Sequence, residues 1–97
     1  MTKKPAVKGE VAAVEGLTPA QARMARAALH WSLDEVAAAV GVSRRTILRL
    51  ENDQRDILPM KIAAIRRGYE GLGLRFLDAG PDAGAVAPPP VRVPPPA

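Results

Sequence analysis

Seven of the chain's ten prolines fall within residues 81–97, among them the runs Pro88-Pro89-Pro90 and Pro94-Pro95-Pro96. Proline lacks an amide hydrogen and has a fixed φ, so such a segment cannot be helix or sheet interior and samples polyproline II instead. Residues 81–97 therefore read as a disordered Pro-rich tail. Residues 1–16 mix small and charged side chains without a sustained period and read as a flexible N-terminal arm. The folding unit is then residues 17–80, of which Thr18 to Gly80 make about 63 residues of core-building chain. A domain this small folds alone only marginally, and a second subunit would help it.

Within that unit the spacing predicts four helices. Thr18-Pro19-Ala20-Gln21 is a helix start: Thr18 caps, Pro19 suits the first helical position, and Gln21 reaches back as in a capping box. Ala22, Ala25 and Leu29 then mark one face. Ser32-Leu33-Asp34-Glu35 is a second capping box, with two acids where the helix dipole favours them. Its helix is apolar at Val36, Ala37 and Val40 and closes at Gly41, where a left-handed residue costs a glycine nothing. Ser43 caps a third helix with Ile47 and Leu50 buried, ending at Asn52-Asp53. Pro59 opens a fourth with an inner face of Ile62, Ile65, Tyr69 and Leu72, closed by Gly71 and Gly73. Leu74-Arg75-Phe76-Leu77-Asp78 begins with alternating polarity and reads as one short strand. A lone strand either packs loosely on the helices or pairs with the same strand of a second subunit, which would make Leu74 and Phe76 dimerisation residues.

The stretch from Leu33 to Asn52 is the most informative. Two short helices joined by a tight glycine turn, with Ala37 where they must approach closely and Ile47 anchoring the second on the first, describe a helix-turn-helix. A bulky side chain at 37 would push the helices apart, and a Cβ at 41 would strain the turn. The second of these helices carries Arg44, Arg45 and Arg49 away from its buried positions. Arginine offers a bidentate fork to guanine N7 and O6, and i to i+4 pairs share a helix face.

Residues 18–78 resemble the Cro/repressor family of helix-turn-helix regulators, the xenobiotic-response-element class. The resemblance is carried by Ala-Arg-Ala-Ala-Leu-His-Trp-Ser-Leu-Asp-Glu-Val-Ala (25–37), Gly-Val-Ser-Arg-Arg-Thr-Ile (41–47) and Leu-Glu-Asn (50–52). Together with the helices and the strand read above, it implies an all-α fold: a small four-helix, repressor-like domain with one short C-terminal β-strand available for pairing across a dimer. It also implies a dimeric, sequence-specific DNA-binding transcriptional regulator, a repressor, that places residues 44–51 in the major groove. On the matching positions, Ser43, Arg44, Arg45 and Arg49 fall where the family reads bases. Thr46, Asn52 and Arg55 fall where it meets phosphates or stabilises the loop. For Arg49 the chemistry also allows a phosphate contact or plain solvation. Arg26 and Glu51 correspond to a structural ion pair between the first helix and the end of the recognition helix. One departure stands out: the family often has Gln where this chain has Leu33, so only the backbone amides of that helix start could meet a phosphate there.

Composition narrows the other classes. The net charge of +4 resolves into +1 for residues 1–17, +3 for residues 18–80 and zero for the tail. This is compatible with double-stranded DNA as partner and modest for a nonspecific architectural binder. With no Cys and the single histidine His30, no zinc site is expected and no cofactor is implied. His30 reads as a solvent-facing or dipole-capping residue and Trp31 as packing over the core. Asp34 and Glu35 are accounted for by capping, and nothing resembles a nucleophile with its base, so an enzyme is not expected. No apolar run reaches membrane-spanning length, making a cytoplasmic, nucleoid-associated protein the default. The alternative function is an antitoxin-type interaction module that also binds DNA and reaches a protein partner through Val91-Arg92-Val93 between the proline runs.

Overall fold

The computed structural model describes residues 16–52 and 56–96. Four helices follow in order: α1 Pro19–Leu29, α2 Leu33–Val40, α3 Arg44–Glu51 and α4 Pro59–Gly71. Each expected cap forms. Thr18 accepts from the amide of Gln21 while Gln21 accepts from the amide of Thr18, and Ser32 and Glu35 repeat the exchange at α2. His30 ends α1 in the left-handed region at φ 61°, leaving its imidazole exposed.

The core gathers the inner faces that the periodicity marks. Ala22, Ala25 and Leu29 of α1 meet Val36 and Ala37 of α2, Ile47 and Leu50 of α3, and Ile65 and Tyr69 of α4, with Trp31 buried among them. Helix α4 comes very close to α2. A Cβ added at Gly68 would lie 2.8 Å from Val40 Cγ1 and 3.0 Å from its Cβ. Two terms compete in Gly68→Ala: helix propensity gains about 1 kcal/mol, and overpacking costs roughly 1–3 kcal/mol. Packing wins, because Val40 cannot move its own Cβ. We expect Gly68→Ala to lower stability by about 1 kcal/mol in denaturant titration; Val40→Ala in the same chain keeps the Cβ and should relieve only the part of the clash that Cγ1 contributes.

The C-terminal part differs from expectation. Strand β1 is only Arg75–Phe76, and its partner is in the same chain: β2, Val86–Ala87, pairs antiparallel with Arg75 opposite Ala87 and Phe76 opposite Val86. The ribbon continues through the Leu77 amide donating to Ala85 O at 3.0 Å and the Gly84 amide donating to Leu77 O at 2.7 Å. Leu74 and Phe76, expected at a dimer interface, are instead buried in this chain's own core at 2% and 7% exposure. Phe76 meets Tyr69 edge to face, with ring centroids 6.2 Å apart. Residues 81–96, expected to be a disordered tail, run back over the helices. The Trp31 indole N–H donates to Val93 O at 3.1 Å, and Pro89 lies against Gly73. Proline forbids sheet interior, but a two-residue ladder ending at Ala87, directly before Pro88, needs nothing that proline lacks.

Arg66 locks this end of the molecule, a role that no motif in the sequence announces. Buried at 5% exposure, it donates to both carboxylate oxygens of Asp78, at 3.1 and 2.6 Å, and to Glu70 at 3.1 Å. It also reaches Gly16 O at 3.0 Å and lies over the Phe76 ring at 4.9 Å. Chiefly through Asp78, these partners push its pKa above the ordinary arginine value. Only the i, i+4 spacing of Arg66 and Glu70 hints at this in the sequence.

Candidate nucleic-acid interface

The motif turn is built by backbone geometry. Gly41 adopts φ 80°, and the amides of Gly41 and Val42 both donate to Ala37 O, at 2.9 and 3.1 Å. The chain then leaves α2 and enters α3 within three residues. Ser43 caps α3 by accepting from the Thr46 amide at 3.1 Å, and the two hydroxyls lie 2.9 Å apart. These two side chains, expected at base and phosphate, thus hold each other at the start of the helix.

Helix α3 divides cleanly. Ile47, Leu50 and Glu51 face the interior, whereas Arg44, Arg45 and Leu48 are exposed and Thr46 and Arg49 are half-buried. One arginine-rich face, interrupted by the apolar Leu48, therefore points away from the rest of the domain. Arg44 lies 3.4 Å from Asp34 at the start of α2, with both side chains more than half exposed. Arg49 pairs with Asp56, which precedes α4. Arg45 has no ion pair among the described residues and stands at the centre of the exposed face. Asn52 is the exposed C-cap of α3. Arg55, the third expected phosphate contact, lies outside the described residues.

Behind this face, Arg26 and Glu51 meet in a two-point contact: Arg26 Nε donates to Oε2 at 2.8 Å and Nη2 to Oε1 at 2.9 Å. Arg26 also donates to Trp31 O at 3.2 Å, and Arg23 donates to the backbone oxygen of Glu51. The carboxylate is 5% exposed and the Arg26 side chain 29%. The hydrogen bond to Glu51 is the main reason the Arg26 pKa is raised. The end of α3 is therefore clamped to α1 by a charge-assisted fork. Sequence reasoning missed the two acids on the exposed side. Asp34 was explained by capping, and Asp56 lies in a connection that carries no period.

The arrangement suits an anionic, grooved partner. An eight-residue helix with three arginines on its outer face fits a major groove, and the arginine fork matches guanine edges. Among the described residues no group of three His, Cys, Asp or Glu side chains is placed to hold a metal, and no helix is long and apolar enough to cross a membrane. Residues 23–75 match the family model described as Helix-turn-helix, which spans α2, α3 and α4 and most of α1. No curated protein and no solved structure matches the chain.

Proposed function

The chain belongs to the Cro/repressor family of helix-turn-helix proteins, and within that family of DNA-binding regulators we propose that it is a sequence-specific transcriptional repressor reading the major groove with α3. The observation that carries the reading is the outward arginine face of α3, with Arg45 at its centre and the opposite edge of the helix sealed into the core. Arg44, Arg45 and Arg49 read bases in this account. Ser43 aids them at the helix start, and Thr46, Asn52 and Arg55 meet backbone phosphates.

A single eight-residue helix touches too few base pairs to select one site among a genome's competitors. Dimeric binding doubles the site. It requires a roughly two-fold symmetric operator with half-sites about one helical turn (~34 Å) apart. The buried side chains of Leu74 and Phe76 do not supply the dimer surface in this reading, since they pack in the chain's own core.

Amide chemical shifts followed during titration with an arbitrary duplex at low salt test the docking face, whatever the operator sequence. Shifts should concentrate on residues 32–34 and 43–52. A response centred on the solvent side of α4 or on the β ribbon would contradict the assignment. On a preferred duplex, Arg45→Ala should weaken binding about tenfold and relax the preference at one base pair, the scale of a lost bidentate arginine–guanine contact. Equal weakening on every sequence would make Arg45 a phosphate contact instead.

A further inference from the structure

Of the three outward arginines, Arg49 is held in a different way from the others. Its Nη2 pairs with Asp56, and its side chain is two-thirds covered, at 33% exposure. Arg44, by contrast, has a single longer contact to an Asp34 that is 78% exposed, and Arg45 has no ion pair among the described residues. The Arg49–Asp56 pair borders an open cleft also lined by Thr46, Ile57, Leu58 and Lys61, between α3 and the start of α4. A carboxylate is an odd neighbour there, because it opposes the approach of phosphates. It cancels part of the Arg49 charge and makes that residue a poor phosphate anchor.

We infer that Asp56 is a specificity-positioning residue: it fixes the Arg49 guanidinium from one edge so that the remaining edge is aimed at a guanine. The guanidinium has five N–H donors in a rigid fork, so with Nη2 in the ion pair to Asp56 the two that guanine N7 and O6 require stay available. Fixing the fork in advance also removes the rotamer freedom that an exposed arginine would otherwise lose on binding. Among the uses open to Arg49, the pairing selects base reading over phosphate contact. The inference rests on the DNA-reading role of α3 proposed above.

The test measures affinities of the full chain and of Asp56→Ala, Asp56→Asn and Arg49→Ala for a duplex selected by the unaltered protein, and for every single-base variant of it. Arg49→Ala should abolish discrimination at one base pair of each half-site. Asp56→Ala should reduce discrimination at that same pair about tenfold and leave the other positions unchanged. Its affinity for unrelated duplex at low salt should hold or rise, since a negative charge has gone. Asp56→Asn, whose amide oxygen still accepts, should recover part of the discrimination. Unchanged discrimination in Asp56→Ala would overturn the inference while leaving the DNA-reading role intact. So would a uniform loss at all positions, which would mark Asp56 as a structural brace of the connection into α4. Failure of the unaltered protein to select any sequence would overturn the DNA-reading role and this inference with it.

Discussion

Truncation after Gly80 is expected to destabilise the domain by roughly 3 kcal/mol, because apolar side chains worth about 1.5–3 kcal/mol each at full burial lose part of their cover. The deleted segment supplies β2, the only partner of β1 among the described residues, and the Val93 carbonyl that receives the Trp31 indole. Val86 and Val93 pack against the core, and Trp31 and Phe76 are among the residues they help cover. A domain of about 80 residues has a net stability of only about 4–12 kcal/mol, so the loss is a large share. Thermal unfolding of residues 1–80 beside the full chain should show a midpoint lower by roughly 12 °C or more, at about 4–8 °C per kcal/mol for this size. A smaller change removes the indole hydrogen bond together with some buried ring volume. Trp31→Phe leaves the Val93 carbonyl without its donor and a small cavity in the core, and should cost about 1–3 kcal/mol. Equal midpoints for the truncated and full chains would show that residues 81–97 lie outside the folding unit.

The second large effect concerns the clamp at the end of α3. Removing one member of a buried, hydrogen-bonded pair costs about 3–5 kcal/mol because the other is left uncompensated. The two truncations differ in what they strand. Arg26→Ala leaves a carboxylate that is 5% exposed without its two donors, whereas Glu51→Ala leaves a guanidinium that is 29% exposed and still bonded to Trp31 O. Arg26→Ala should therefore be the worse, at about 4 kcal/mol against about 3 kcal/mol for Glu51→Ala. Replacing both by apolar residues of similar volume, as in Arg26→Met with Glu51→Leu, should cost much less than either alone. The Arg23 contact reaches the Glu51 backbone and survives every one of these changes. Chemical denaturation of the four proteins checks the order. If the double replacement costs the sum of the single ones, the uncompensated-charge explanation fails.

What could be read in the sequence was local. Thr18, Ser32, Ser43 and Gly41 act on backbone groups within four residues of themselves, so residue type and spacing are enough to place the boundaries of α1, α2 and α3. The buried faces followed from the helical period for the same reason. The outward placement of Arg44, Arg45 and Arg49 followed once Ile47 and Leu50 were assigned inward. The features that escaped depend on contacts between residues far apart in sequence. Arg66 binds Asp78 and Gly16, Trp31 binds Val93, and β1 finds β2 across a connection that holds Gly80 and Gly84 in left-handed conformations. Proline-rich composition argued against regular structure in residues 81–97 and said nothing about an extended segment laid along an apolar surface. Val86 and Val93 are the apolar signal that was available there. The proline content also led to the dimer reading of Leu74 and Phe76, since a strand without an intramolecular partner must look for one elsewhere. The Arg49–Asp56 pair escaped for a different reason: the connection that brings Asp56 back to α3 has no period from which its path could be drawn.

Base reading by α3 is tested by selection from randomised duplex DNA by the full chain at near-physiological salt, followed by sequencing of the bound fraction. An inverted repeat with guanines at the contact positions and half-sites about one helical turn (~34 Å) apart should be enriched. Recovery of DNA with no sequence preference would contradict base reading, and would leave the arginine face of α3 as a cationic surface that reads nothing.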